Sequence, residues 1–396
     1  MKLFKSLLVA PAALGLLSPL SATASEVNLN EISNYSDIES MEFANSFSND
    51  DSNIKTPLLA GGEGLVDGHS HDGSFSETTT ASFTVDGLLG FEDDDDAAAV
   101  DNDDNVVATY SFQLDLNTSF TGEDSLDIAI DAGNAGIDAI DEYDRNGNGD
   151  GLTVDGVVYT FPVGDKMTAF VGDNTNGSNL FTKACVYGGP GDMLSDCGDV
   201  NASIANTGWA RGGVAIGASY DFQNGLTAAV GAQTQDNDVF NEEGQDAYAG
   251  NLAYTGDNYG ISLTYGVVEE MTNNALTDED DKYTALNAYY TPDGSLPSIS
   301  VGYEVGNLGG AAAGADEQAS FMIGLTWDEV GPGSAGIAMG HSNTVENADE
   351  LYQYEAYYEY PVNDSMTVTP LIYTLDAAGA NTDDTSGAMV KTTFKF

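Results

Sequence analysis

The stretch Gly387 to Phe396, GAMVKTTFKF, decides the fold. Side chains of a strand alternate faces, so Ala388, Val390, Thr392, Phe394 and Phe396 share one side, and Met389, Lys391, Thr393 and Lys395 share the other. One face is apolar and the other cationic. A tilted strand of about 9–11 residues spans a bilayer. A strand with a lipid face and a wet face belongs to a closed sheet, since an open edge in hydrocarbon would leave backbone groups without partners. The ending therefore predicts the closing strand of a transmembrane barrel.

Working back along the chain, the same period recurs. Val106, Ala108, Tyr110, Phe112, Leu114 and Leu116 alternate with polar residues; so do Tyr259, Ile261, Leu263, Tyr265 and Val267, and Tyr352, Tyr354, Ala356, Tyr358 and Tyr360. Sixteen such stretches run from about residue 77 to 396. Short links (NTSFTGED, VGDK, FQNGL, TGDNY, TPDGSLP, DEVGPG, PVNDS) alternate strictly with longer ones. Outer-membrane barrels put short turns on the periplasmic side and long loops outside. The reading is all-β, an antiparallel transmembrane barrel of about 16 strands, with both termini periplasmic. Tyr and Phe near the strand ends fit an aromatic girdle, whereas a soluble sandwich would bury its apolar face. Sixteen strands leave an aqueous channel where smaller barrels fill with side chains.

Composition agrees. The 396 residues include 46 Gly and 20 Tyr, with 10 Lys plus Arg against 64 Asp plus Glu. Met1 to Ser25 carries Lys2 and Lys5, an apolar run and Ala22-Thr23-Ala24, the pattern of a secretory signal. Its removal leaves eight basic residues against the same acidic set, a surface that repels nucleic acid and attracts cations. Residues 26–74 are polar and weakly periodic, which predicts a flexible periplasmic segment, and 75–396 form the barrel.

The signal with EVNLNEISNYS after it, the stretch LDLNTSFTGEDSLDIAIDAGNAG, the later GGVAIGASYDF and the ending TTFKF together resemble cyanobacterial outer-membrane porins related to the carbohydrate-selective OprB-type family. The resemblance implies a homotrimeric porin in contact with outer-membrane lipid and lipopolysaccharide. Such a porin passes small solutes, sugars among them, and inorganic ions, with iron uptake proposed for some members. Many relatives carry an S-layer-homology domain before the barrel; residues 26–74 occupy that place here.

Candidate sites follow from the alternation. With the apolar face toward lipid, Asp115, Asp127, Glu304, Glu355 and Glu359 line the pore, offset in part by Lys391 and Lys395, which predicts weak cation selectivity. The longest link, Asn174 to Gly212, holds Cys185 and Cys197, a pair expected to form a disulfide in an oxidising compartment. That link either enters the mouth as a constriction or caps the outside. DRNGNGDGLTVD offers Asp144, Asn146, Asn148, Asp150 and Asp155 as oxygen ligands for calcium, though an Asn/Gly-rich turn explains the same residues. No cofactor is required by the barrel. His341 and Ser342 are adjacent and face opposite sides of a strand, so they form no dyad, and no other arrangement suggests an enzyme. The competing reading is a surface adhesive or structural barrel with a plugged lumen and calcium-binding acidic loops.

Overall fold

The computed structural model describes residues 78–93, 106–134, 149–190, 194, 197, 213–234, 246–269, 280–309, 311, 316–376 and 384–396. The chain divides into two compact units after Gly64, and every described residue belongs to the second. The expected signal, the segment 26–74, and Asp144, Asn146 and Asn148 lie outside the described residues.

Sixteen strands follow one another: β1 (Thr79–Asp93), β2 (Val107–Thr118), β3 (Ser125–Gly133), β4 (Thr153–Val163), β5 (Met167–Asp173), β6 (Val214–Asp221), β7 (Leu226–Thr234) and β8 (Asp246–Thr255). The second half comprises β9 (Tyr259–Val268), β10 (Asp281–Tyr290), β11 (Ser298–Asn307), β12 (Glu317–Val330), β13 (Gly333–Val345), β14 (Gln353–Asn363), β15 (Met366–Leu375) and β16 (Thr385–Lys395). Each pairs antiparallel with its sequence neighbours, and β1 pairs with β16 to close the barrel. Closure is sealed at the carboxy-terminus. Phe83 and Phe396 exchange backbone hydrogen bonds of 2.9 and 3.1 Å, and their rings stack at 5.5 Å.

The expected alternation sets the two faces. Along β9, Tyr259, Ile261, Leu263 and Tyr265 are exposed while Gly260, Ser262, Thr264 and Gly266 are buried. Small residues point inward and large apolar ones outward, the reverse of a soluble barrel whose core is its interior. Outward aromatics cluster at two levels. Tyr254, Tyr259, Tyr290, Tyr360 and Phe394 lie toward the short turns, and Tyr248, Tyr265, Tyr303 and Tyr354 toward the long links. Leu252, Ile261, Leu263, Leu286 and Val301 fill the band between them, as the two interfacial girdles and apolar belt of a membrane barrel require. His341 joins the long-link level on the outer face, packed edge-on to Tyr352 at 5.3 Å with its Nδ1 2.9 Å from the Thr344 hydroxyl.

The short turns are built locally. In the β2–β3 turn, buried Asp124 accepts hydrogen bonds from the Ser119 hydroxyl (2.9 Å), the Phe120 and Thr121 amides (2.9 and 2.8 Å), the Thr121 hydroxyl (2.8 Å) and the Tyr159 hydroxyl of β4 (2.7 Å). Asp124 lies at the heart of TSFTGED, where the sequence showed only a polar turn. The Tyr159 bond foremost, with Thr121 and Ser119, outweighs burial and holds its carboxyl far below the usual carboxylate range.

Candidate functional site

The link after β5 turns into the barrel. Asn174 adopts a left-handed backbone (φ 53°), and its side-chain amide donates to the Val154 and Asp155 carbonyls at 3.2 and 2.8 Å. Asn tolerates this conformation, and its amide reproduces a backbone turn. From there the segment runs along the inner wall, taking hydrogen bonds from strand after strand. The Gly177 amide donates to Gln233 Oε1 on β7 at 2.6 Å, and Thr182 N to Asn251 Oδ1 on β8 at 3.1 Å. The Val186 and Tyr187 amides both donate to the Ser300 hydroxyl of β11 at 3.0 Å. The Tyr187 hydroxyl donates to buried Glu355 on β14, and the Tyr357 hydroxyl donates to the Gly188 carbonyl at 3.1 Å.

Apolar contacts continue the path. Phe181 packs on Ala247, Ala249 and Val268. Tyr187, Leu194 and Cys197 form one buried cluster with Met322, Ala338, Tyr357, Leu371, Tyr373, Met389 and Leu88, inward residues of β12 to β16 and β1. Cys185 and Cys197 are disulfide-bonded, with Cα atoms 6.0 Å apart. Of the two placements the sequence allowed, the structure shows the inserted one. A Cβ at Gly231 of β7 would overlap the Gly177 carbonyl, and one at Gly189 would overlap the Glu355 carboxylate, so backbone lies directly on wall at both places.

The insertion divides the inner surface. The inward residues of β9 and β11 are all buried, and across β8 to β11 Asn251, Ser262, Thr264, Asn287 and Ser300 are each at most 5% exposed. Most inward side chains of β2 to β4 keep partial exposure, among them Thr109, Gln113, Asp115, Asn117, Ser125, Asp127 and Thr160, while Asp131 is buried.

This division corrects part of the predicted pore lining. Glu304 and Glu355 face inward as the alternation requires, yet they are buried (3% and 4% exposed), and the loop reaches Glu355 through Tyr187. They are therefore taken off the water-lined wall. Period two reports the face of a strand and says nothing of what later covers it. Asp115 and Asp127 are half-buried on the uncovered sector, Glu359 and Lys395 are exposed near the short-turn end, and Lys391 pairs with Asp86 at 3.4 Å. Neither Asp86 nor the loop-anchoring Gln233, Asn251 and Ser300 stood out in the sequence, where each is one inward polar residue among many.

Of the suggested calcium ligands only Asp150 and Asp155 are among the described residues. Asp150 sits in a left-handed turn and accepts the Tyr110 hydroxyl at 2.6 Å, and Asp155 lies within β4. Among the described residues no group of three or more His, Cys, Asp or Glu converges on a metal position.

A closed sixteen-strand barrel with an apolar, aromatic-rimmed exterior and a loop folded inside has the fold of a porin-type transmembrane barrel. Solved structures agree. Pseudomonas putida OprB at high pH superposes with a TM-score of 0.59 at 12% identity, over 81% of this chain and 94% of that one. A multiply substituted Rh. blastica porin gives 0.51 at 14% identity, over 80% and 100%. At such identities the likeness establishes the fold. No protein-family model and no curated protein matches the sequence.

Proposed function

We propose that the protein is an outer-membrane porin through which small hydrophilic solutes and inorganic ions diffuse passively, with a weak preference for cations. The observation that carries this reading is the uncovered β2–β4 sector: beside the inserted loop, polar and acidic side chains stay accessible where a plugged barrel would bury them. The fold shared with OprB and Rh. blastica porin supports it. In this reading the short-turn rim and both termini face the periplasm, the acidic long links face outward, the aromatic levels contact lipid and lipopolysaccharide headgroups, and three copies associate side by side. Sugars and iron salts are the solutes to try first.

The test is single-channel conductance of the purified protein in planar bilayers under a salt gradient. Stable openings with a reversal potential favouring cations support the porin. A silent bilayer, with the barrel folded by circular dichroism, would move the reading to a plugged structural barrel.

A further inference from the structure

The inner wall of β1 to β4 carries a patch of carboxylates held in a particular way. Asp115 accepts the Gln113 side-chain amide at 2.8 Å. Asp127 accepts the Asn117 amide and the Ser125 hydroxyl, the latter at 2.7 Å, and Asn117 also bonds Ser125 at 2.8 Å. All these donors are neutral. They fix the carboxylates in place without cancelling their charge, and no described cation lies within ion-pair distance of either. At the edge of the patch Asp86 is different: it meets Lys391 at 3.4 Å and accepts the Thr393 hydroxyl, so its charge is balanced.

Register puts the two unbalanced carboxylates side by side. Asp115 is opposite Ala129 and Asn117 is opposite Asp127, making Asp115 and Asp127 diagonal neighbours on one face, with backbones roughly 7–8 Å apart. Both are half-buried, on the sector the inserted loop leaves open. The inward carboxylates across the barrel, Glu304 and Glu355, are sealed. Salt screens exposed charges beyond about 10 Å at 0.1 M, so a wall carboxylate acts most on an ion that can approach it closely through water.

We infer that ions cross along the β2–β4 sector and that Asp115 and Asp127 are the specificity-determining residues for cations, while Glu304 and Glu355, sealed from the water path, contribute less. The inference rests on the porin reading and goes beyond it by assigning the preference to two residues on one side of the lumen. A unit charge about 8 Å from the ion, in water-like dielectric and 0.1 M salt, raises cation and lowers anion occupancy enough to change their ratio about twofold.

Reversal potentials in a KCl gradient, read as the potassium-to-chloride permeability ratio, test this on Asp115→Asn, Asp127→Asn and the double variant, with Glu304→Gln as the control. At 115 the Asn side chain keeps an oxygen for the Gln113 amide, and at 127 it keeps one for the Asn117 amide while its own NH2 faces the Ser125 hydroxyl, which can turn to accept; circular dichroism checks the fold. The expected result is a ratio lowered about twofold by each single substitution, about fourfold by both, and much less in the control, with the effects growing as salt is diluted. An open wild-type channel whose ratio does not move in the double variant, or moves as much in Glu304→Gln, overturns the inference alone. A wild-type protein that forms no channel overturns the porin reading as well.

Discussion

Replacing Gly231 with alanine should lift the first part of the inserted loop off β7. The added Cβ would overlap the Gly177 carbonyl oxygen and lie 2.6 Å from the carbonyl carbon. Carbon atoms rest at about 3.5 Å, so the loop backbone must retreat by roughly 1 Å. That retreat stretches the buried bond from Gly177 N to Gln233 Oε1, now 2.6 Å, to the limit of hydrogen bonding. Losing a buried hydrogen bond costs about 1–3 kcal/mol, and resisting the overlap instead costs a similar amount in strain. Docking of this segment should weaken by about 2–4 kcal/mol, more than tenfold in equilibrium. The barrel itself should persist, since alanine fits a strand.

Trypsin reads the loop directly. Lys183 lies in the inserted segment, inside a lumen that a protease does not enter. The variant should be cut after Lys183 at a protease concentration that spares the parent, and its channel should be noisier or larger in conductance. Equal resistance and equal conductance in Gly231→Ala would refute the close packing of loop on wall.

Two further outcomes follow from the same geometry. Because the folded carboxyl of Asp124 titrates below its unfolded value, its stabilisation is fully present above about pH 4 and is lost as pH falls from there through the lower folded value. Asp124→Asn should therefore lower the melting temperature at pH 7, and the gap to the parent should begin to narrow as melts are taken below about pH 4; a gap that does not shrink there would count against it. Replacing both Cys185 and Cys197 with serine removes a cross-link between residues 12 apart, worth about 3 kcal/mol of loop ordering for closures of this size. Channel noise should rise without change in barrel circular dichroism, and an identical conductance trace would show that the bond does not hold the loop.

The strand plan was legible from residues alone. A lipid-facing strand has a two-residue period and a fixed minimum length, so alternation and the rhythm of short and long links determined sixteen antiparallel strands, the closure of Gly387 to Phe396 on the first strand, and which side chains share a face. Each of these is local: a side chain's face follows from its own strand. What only the tertiary structure decided is non-local. The Tyr187 to Glu355 bond joins residues 168 apart, and the Val186 bond to Ser300 joins residues 114 apart; no period encodes such a meeting. That docking buries Glu355 and leaves Asp115 and Asp127 partly exposed. Whether an inward carboxylate faces solvent thus depends on where a distant loop comes to rest, which is settled by hydrogen bonds and packing between segments that sequence order keeps apart.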